Sequence, residues 1–247
     1  LMQMADIGRV IGEIEEADFY KRQAEMFKKR YNQLFFDKRR GVYRDGISTE
    51  HASLHGNMFP LTFNMVPEGN KKGVLDFLKT RDMACSVYGS QFLMDALYNA
   101  GGADYALQML TKTDDRSWYN MIRVGSTISL EAWDNKYKPN QDWNHAWGSA
   151  PANIIPRKLM GIEPLSPAFE TFRVKPQPST LESASIKMPT IRGEIEVSFI
   201  NKPASFVLLA RIPSNTLADI YLPVRKKVKS VAMNGERIQK LKQVDGY

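Results

Sequence analysis

Through its first two thirds, the chain repeats its apolar residues with the period of a helix. Between residues 17 and 36, apolar side chains recur near every 3.6 positions and charged side chains occupy the opposite face. Similar patterns predict about eight helices before residue 163, joined by short loops and with no strand alternation between them. The predicted helices cover 1–12, 17–36, 48–66, 73–83, 87–102, 103–113, 114–125 and 143–162.

Local signals mark several of the predicted helix ends. Ser48 is a candidate N-cap for the third helix, and the pair Gly101 and Gly102 is a stop signal for the fifth. The stretch DKRRGVYRDG, residues 37–46, is typical of a turn. Helices of this length in succession favour an array of antiparallel hairpins, and no repeat of fixed length is visible.

The pattern changes in the last third of the chain. Four prolines punctuate residues 161–180, which we interpret as a linker. Short alternating runs follow, separated by the turn signals NKPA and NGE, and they predict antiparallel strands. The predicted fold class is therefore mainly α and then β, with helical hairpins over 1–163 and a small antiparallel β-sandwich domain over 164–247. No catalytic grouping is evident in the β-domain, to which we assign a packing role.

Charge and composition narrow the classes of function. Lys and Arg number 34 against 27 Asp and Glu, and the basic groups are scattered at 28–30, 38–40 and 225–229. Because no nucleic-acid-binding motif accompanies them, we expect solvated surface charges and no nucleic-acid partner. The single cysteine, Cys85, excludes an intrachain disulfide and a cysteine-cluster zinc site. No run of 18 apolar residues exists, so we predict no membrane span.

The first residues, LMQMADIGRVIG, already have the pattern of a helix interior. We therefore expect the chain to be a fragment of a longer protein. A signal peptide in the preceding part would direct the protein to the periplasm or outside the cell.

Candidate chemistry is concentrated in the stretch ISLEAWDNKYKPNQDWNHAWGSAP, residues 128–151, which holds three of the four tryptophans. Glu131 stands among apolar neighbours beside Trp133, and desolvation there would disfavour its ionised form and tune it toward general base duty. Tryptophan faces suit the apolar faces of sugar rings, while Asn144 and His145 offer hydrogen bonds to hydroxyl groups. Together these groups suggest carbohydrate chemistry.

Structural explanations compete with each of these assignments. Tryptophans at helix ends are often core residues, Glu131 is also consistent with a surface or capping residue, and His145 with a structurally hydrogen-bonded histidine. The adjacent acids Asp114 and Asp115 do not share a helix face, and we expect them to cap the next helix.

Two histidines have a spacing that some metal sites use. His51 and His55 have the i, i+4 spacing that can bind a metal on one helical face. They lack the glutamate of an HExxH motif, so we predict neither a metal site nor a cofactor.

The stretches VYGSQFLMDALYNAG, TDDRSWYNMIRVGSTISLEAWD and QDWNHAWGSAPANIIPRKLMGIEPLSPAFETFRVKPQP together resemble the C-terminal half of bacterial α-L-rhamnosidases, glycoside hydrolase family 78. The resemblance runs from about residue 15 to 178, with the Glu-x-Trp-Asp and Asn-His elements in the family's order, and the trailing β-domain resembles the family's C-terminal sandwich. It implies part of an (α/α)6 six-hairpin barrel, and an inverting enzyme that hydrolyses terminal α-L-rhamnosyl linkages in rhamnosylated glycans or glycosides.

The resemblance also assigns roles to residues. Glu131 matches the general base, Trp133 and Asp134 belong to the same element, and His145 matches a residue that contacts the sugar. We expect Trp133, Asp134, Trp143, Asn144 and His145 to bind the substrate.

One departure from the family is the absence of a counterpart for its general acid, which lies in an acidic motif of the first half of the barrel. The chain resembles about two-thirds of a barrel, so we expect no hydrolysis by the chain alone and association of two copies over exposed apolar helix faces. A non-catalytic carbohydrate-binding protein and a helical scaffold remain as alternatives.

Overall fold

The structure is a computed structural model that describes residues 1–224, 228–244 and 246–247. These residues form two compact units, Leu1–Gly102 and Ala103–Tyr247. The described ranges contain eight α-helices, the number expected: α1 Met2–Ile11, α2 Ile14–Phe35, α3 Leu54–Thr62, α4 Lys71–Lys79, α5 Val87–Asn99, α6 Ala103–Thr111, α7 Trp118–Arg123 and α8 Ala150–Ile154. The architecture is a helical hairpin domain followed by a small sheet domain, as predicted. The domain boundary expected at residues 163 and 164 stays a prediction.

The first unit is built from helical hairpins. Helices α1 and α2 pack closely where Gly8 approaches Ala17, since a Cβ on Gly8 would lie 3.1 Å from the Ala17 Cβ. Helix α3 packs on α4 and α5, and apolar side chains that are at most 2% exposed form the core there. These core residues include Met58, Leu61, Leu78, Leu93 and Leu97.

The predicted start of the third helix at Ser48 is wrong. Helix α3 begins at Leu54, with the Ser53 hydroxyl accepting a hydrogen bond from the Gly56 N–H. The Asp45 carboxylate accepts hydrogen bonds from the Ser53 N–H and hydroxyl, and its other oxygen lies 2.5 Å from the His51 ring nitrogen. These contacts fix residues 48–52 outside the helix, so His51 does not share a helical face with a later histidine.

Two further expectations in the helical region are corrected. The predicted turn at 37–46 joins the strands of a short antiparallel hairpin, β1 Phe36–Asp37 and β2 Val42–Tyr43, so the expectation of no strands among the helices is wrong. Helix α7 is capped by Ser117, whose hydroxyl accepts the Asn120 N–H, and not by the preceding acids. A hydroxyl at this position satisfies an N–H that has no partner within the helix.

The predicted helix at 143–162 is a succession of shorter elements. A 3-10 turn at Ala146–Ser149 leads into α8, and a π-helical turn follows at Ile155–Leu159. Pro156 has no N–H to donate to the preceding turn, and the Met160 N–H bonds to the Ile155 carbonyl at 2.9 Å, the wider spacing of a π-turn.

The sheet region begins inside the predicted linker. Its strands are β3 Ile162–Pro164, β4 Thr171–Val174, β5 Ser183–Thr190, β6 Gly193–Lys202, β7 Ser205–Arg211, β8 Leu217–Ile220, β9 Ala232–Met233 and β10 Glu236–Arg237. Strands β5, β6 and β7 form an antiparallel sheet, and β9 pairs with β10. The order of the other sheet is β3-β4-β8, in which β8 runs parallel to β4, so the expectation of purely antiparallel pairing is wrong.

The core of the antiparallel sheet lies on one face of β6. Ile195, Val197 and Phe199 alternate with more exposed residues and are at most 2% exposed. This period of two is the pattern that predicted the strand. Residues 225–227 of the third basic group lie outside the described residues. No helix in the described part of the chain is long and apolar enough to cross a membrane.

Candidate active site around Glu131

The segment that carries the candidate chemistry is irregular but tied together by hydrogen bonds. The His145 N–H donates to the Ser129 carbonyl at 2.9 Å, and the Ser129 hydroxyl donates to the His145 carbonyl at 2.8 Å. Next to them the Glu131 N–H donates to the Asp142 carbonyl at 3.1 Å. Residues 129–131 therefore lie beside 142–145, which brings the Glu131 and His145 positions together.

Close backbone approach fixes the far end of this segment. A Cβ on Gly148 would lie 2.6 Å from the Leu130 carbonyl oxygen, a distance that only glycine tolerates. The Gly148 carbonyl accepts a hydrogen bond of 2.8 Å from the Trp118 indole of α7. Helix α7 therefore holds this end of the segment through the Trp118 hydrogen bond.

The Glu131 carboxylate is largely covered, with its side chain 15% exposed. One carboxylate oxygen accepts a hydrogen bond from the Lys138 ammonium, and the other accepts the Asp142 N–H at 3.1 Å. The Lys138 hydrogen bond is the main reason that the pKa of Glu131 is lowered, and the Asp142 N–H and the charge of His145 act in the same direction. Desolvation raises the pKa of Glu131, as expected, but these contacts outweigh it, so the net shift favours the ionised form and not the neutral one. The carboxylate is ionised at neutral pH.

His145 and Trp147 form the side of the site next to Glu131. Their ring centroids are 3.9 Å apart and the rings are nearly perpendicular, an edge-to-face contact that orients the imidazole. The His145 side chain is 27% exposed, and its Nδ1 lies 4.0 Å from an Asp142 carboxylate oxygen. The Trp147 indole, 43% exposed, donates to the Glu131 carbonyl at 3.4 Å. Sequence reasoning did not select Trp147, although its place two residues after His145 was a usable signal.

Trp133 lies beneath the site. It is 3% exposed and packs edge-to-face on Trp118 with ring centroids 5.2 Å apart, so it presents no ring face to solvent. The Asp134 carboxylate accepts hydrogen bonds from the Asn120 amide at 2.8 Å and the Lys136 N–H at 3.1 Å. The Asn120 hydrogen bond contributes most to lowering the pKa of Asp134. Both residues therefore support the segment from within.

The remaining two predicted contact residues face solvent. Trp143 is 43% exposed, and Asn144 is exposed beside it. The adjacent acids take different partners: Asp114 pairs with Lys112 at 2.8 Å, whereas Asp115 bonds to Arg123 at 2.8 Å and to Lys136. Within the described ranges, no group of three or more His, Cys, Asp or Glu side chains is placed to hold a metal ion.

Comparison with known proteins assigns the family. The model of the bacterial alpha-L-rhamnosidase 6 hairpin glycosidase domain matches residues 1–159, and that of the bacterial alpha-L-rhamnosidase C-terminal domain matches residues 161–237. The chain belongs to the bacterial α-L-rhamnosidase family. Both of its predicted parts therefore have counterparts in α-L-rhamnosidases, in the same order.

Individual α-L-rhamnosidases extend this assignment. The chain is 25% identical to an alpha-L-rhamnosidase of Alteromonas sp. (strain LOR) in an alignment of 252 residues. The alignment covers 96% of this chain and 26% of the relative. It is 26% identical over 230 residues to that of Formosa agariphila, with 89% and 24% covered. The chain thus spans about a quarter of the length of these α-L-rhamnosidases.

Solved α-L-rhamnosidase structures share the fold. The alpha-L-rhamnosidase from Dictyoglumus thermophilum matches with a TM-score of 0.82 at 20% identity, over 98% of this chain and 28% of that one. The Streptomyces avermitilis alpha-L-rhamnosidase complexed with L-rhamnose matches with a TM-score of 0.73 at 20% identity, over 90% and 22%.

Proposed function

We propose that this chain is the C-terminal part of an inverting α-L-rhamnosidase in which Glu131 is the general base. The observation that carries the proposal is the ionised, largely covered Glu131 carboxylate held beside His145 and Trp147. An inverting glycosidase needs a carboxylate that takes a proton from the attacking water while a separate acid protonates the leaving oxygen. The family assignment supports α-L-rhamnosides as the substrate class, and we propose terminal α-L-rhamnosyl linkages as the bonds cleaved.

The proposed sugar contacts are selected by the solvent exposure of their side chains. Trp143, Asn144 and His145 retain solvent-facing surface and are the proposed sugar contacts. Trp133 and Asp134, which the resemblance placed in the same element as the base, act by holding that element against α7. Because the family's general acid has no counterpart in this sequence, we propose that the chain alone does not hydrolyse the substrate.

Replacing the base tests this function. We expect Glu131→Gln in the complete gene product to lower kcat on an aryl α-L-rhamnoside by about 10²–10⁴-fold, because the water loses its proton acceptor. Azide, an anionic nucleophile that needs no base, should restore cleavage in this variant and give the β-configured azide. Glu182→Gln, a change at an exposed glutamate on the sheet side, is the matched control. Near-normal turnover by Glu131→Gln would remove Glu131 as the base.

A second candidate is a non-catalytic carbohydrate-binding protein, which the exposed Trp143 and Trp147 favour. Calorimetric titration of the complete gene product with L-rhamnose separates the two, since binding without any hydrolysis of rhamnosides supports the second. Association of two copies through the helical region stays a prediction, which analytical ultracentrifugation of the chain measures.

A further inference from the structure

Lys138 is a charged residue beside the candidate base that the sequence did not single out. Its ammonium contacts one Glu131 carboxylate oxygen, although the two residues are seven positions apart on an irregular loop. The Lys138 side chain is 41% exposed, whereas that of Glu131 is 15% exposed. The lysine is therefore the more exposed partner of this pair.

The loop that carries Lys138 is held on both sides of it. On one side, the Gln141 side chain accepts the Ala132 N–H at 2.9 Å and donates to the Asn135 carboxamide at 2.8 Å. On the other, the Arg116 guanidinium lies 4.7 Å from the centre of the Tyr137 ring. A lysine on a loop this well tied loses less freedom on pairing than a lysine on a mobile one.

The buried Asn120 side chain completes the support. It is fully buried, and its amide group donates to the Trp133 carbonyl at 3.0 Å and to the Asp134 carboxylate at 2.8 Å. Lys136 pairs with Asp115, which ties the middle of the loop to the segment before α7. The path of the loop is therefore set by contacts independent of the Lys138 and Glu131 pair.

We propose that Lys138 is a positioning residue for the candidate general base, holding one carboxylate oxygen of Glu131 so that the carboxylate keeps a single orientation. The inference rests on the proposed function of Glu131. Each carboxylate oxygen has two lone pairs, so the Lys138 ammonium and the Asp142 N–H leave accepting capacity for a water. Lys138 acts through Glu131 and needs no contact with the sugar.

Two titratable side chains act on the Glu131 carboxylate, Lys138 and His145, and an Asp142 carboxylate oxygen lies 4.0 Å from the His145 Nδ1. Lys138 makes the largest contribution to lowering the pKa of Glu131. The Glu131 carboxylate therefore stays ionised to a lower pH than an ordinary glutamate does. We expect activity to fall on the acid side at a pH below the usual range of a glutamate pKa. Removing the ammonium moves this fall in activity upward in pH.

The test compares Lys138→Met, which removes the charge at similar length, with Lys138→Arg, which keeps it, in the complete gene product. The first readout is kcat/KM against pH on an aryl rhamnoside. The second readout is independent of activity. It is carbodiimide modification of Glu131 measured by peptide mass spectrometry at a series of pH values, because carbodiimides react with the protonated carboxyl.

We expect Lys138→Met to shift the pH midpoints of both readouts upward and to lower kcat at neutral pH by about 10- to 100-fold with KM nearly unchanged. Lys138→Arg should restore both midpoints.

Lys136→Met is the matched control, since Lys136 lies on the same loop but pairs with Asp115. It should leave the Glu131 labelling midpoint where it is, because Gln141, Asn120 and Arg116 still hold the loop. Unchanged midpoints in Lys138→Met, or an equal shift in Lys136→Met, would overturn the inference.

Thermal melts identify a variant that fails to fold. If Lys138→Met does not fold, Lys138→Gln takes its place in the same experiment. Should Glu131→Gln keep its activity while Lys138→Met still shifts the labelling midpoint, the proposed function fails and the pairing stands.

Discussion

Glu131 and Glu163 are two largely covered glutamates of the same unit, and both bond to a lysine. Glu163, on strand β3, is 12% exposed, and its carboxylate bonds to Lys158 at 2.7 Å and to Arg173 at 3.0 Å, with Arg157 at 3.4 Å. Desolvation alone would raise the pKa of Glu163, but the Lys158 and Arg173 hydrogen bonds and charges outweigh it and lower the pKa. Glu131 has one lysine and one backbone N–H.

The two carboxylates differ in how many further hydrogen bonds each can accept. Lys158 is itself 9% exposed, so the cations around Glu163 enclose it and tie the π-turn to strands β3 and β4. The lysine on Glu131 is 41% exposed and leaves its carboxylate open to one more donor. A lowered pKa therefore does not distinguish the enclosed carboxylate of Glu163 from that of the proposed base, whereas the number and burial of their partners differ.

Removing the charge of Glu163 has the largest expected effect on stability. Glu163→Gln takes the carboxylate away from buried Lys158, and losing one partner of a buried pair costs about 3 kcal/mol of unfolding free energy. Urea denaturation of the chain measures the loss, with Glu182→Gln as the exposed control. Glu131→Gln should leave the midpoint close to wild type, and a comparable loss there would break the comparison.

The support beneath Glu131 is the next place to test. Asn120→Ala removes buried hydrogen bonds to the Trp133 carbonyl and the Asp134 carboxylate, for an expected loss of about 2 kcal/mol. Asn140→Ala, at an exposed asparagine on the nearby loop, should be neutral in the same denaturation experiment. Equal stability of the two variants would show that the loop does not depend on Asn120.

A smaller effect is expected on substrate affinity. Trp143→Ala removes an exposed indole from the proposed sugar surface and should raise KM on an aryl rhamnoside about tenfold, equivalent to about 1.4 kcal/mol. Its melting temperature should not change, because the ring is 43% exposed. Tyr119→Ala, at a 51% exposed aromatic on α7, is the control that should leave KM unaltered. A KM equal to that of wild type excludes Trp143 from the sugar surface.

The pH dependence of stability gives the smallest and sharpest difference. The stabilisation that Glu163 contributes is fully present above its unfolded pKa of about 4.3 and is lost as the pH falls through its lowered folded pKa. The gap in urea midpoint between wild type and Glu163→Gln should therefore be constant from about pH 7 to 5 and narrow as the pH falls below the unfolded pKa. A gap that widens on acidification contradicts this sign.

Periodicity predicted the helices and strands, even where little of the apolar face is buried, as in α2, in which Ala17 alone is buried. Phe199 and its neighbours on β6 alternate in burial as their sequence does, and the α2 pattern yields a helix from Ile14 to Phe35. The same reasoning misplaced the start of α3, since Ser48 and Ser53 are both plausible caps. The choice between them is made by Asp45, whose contacts no local pattern records.

The candidate site could be predicted only in part. The Glu-x-Trp-Asp and Asn-His elements drew attention to Glu131 and His145, and the backbone bonds between 129–131 and 142–145 bring their positions together. Lys138 was not predictable, because its place depends on side-chain bonds from Gln141 and Asn120 to the loop. An irregular segment has no hydrophobic period, so only its three-dimensional structure shows which of its charged side chains contact each other.

The parallel pairing of β8 with β4 has a consequence for synthesis of the protein. Strand β4 is central in its sheet, yet the whole β5–β7 sheet is translated before β8 can cover its second edge. Until residue 220 emerges from the ribosome, β4 presents unsatisfied N–H and carbonyl groups that can capture a strand of another nascent chain. Slow translation or premature termination between β7 and β8 would therefore favour aggregation of chains that are otherwise folded.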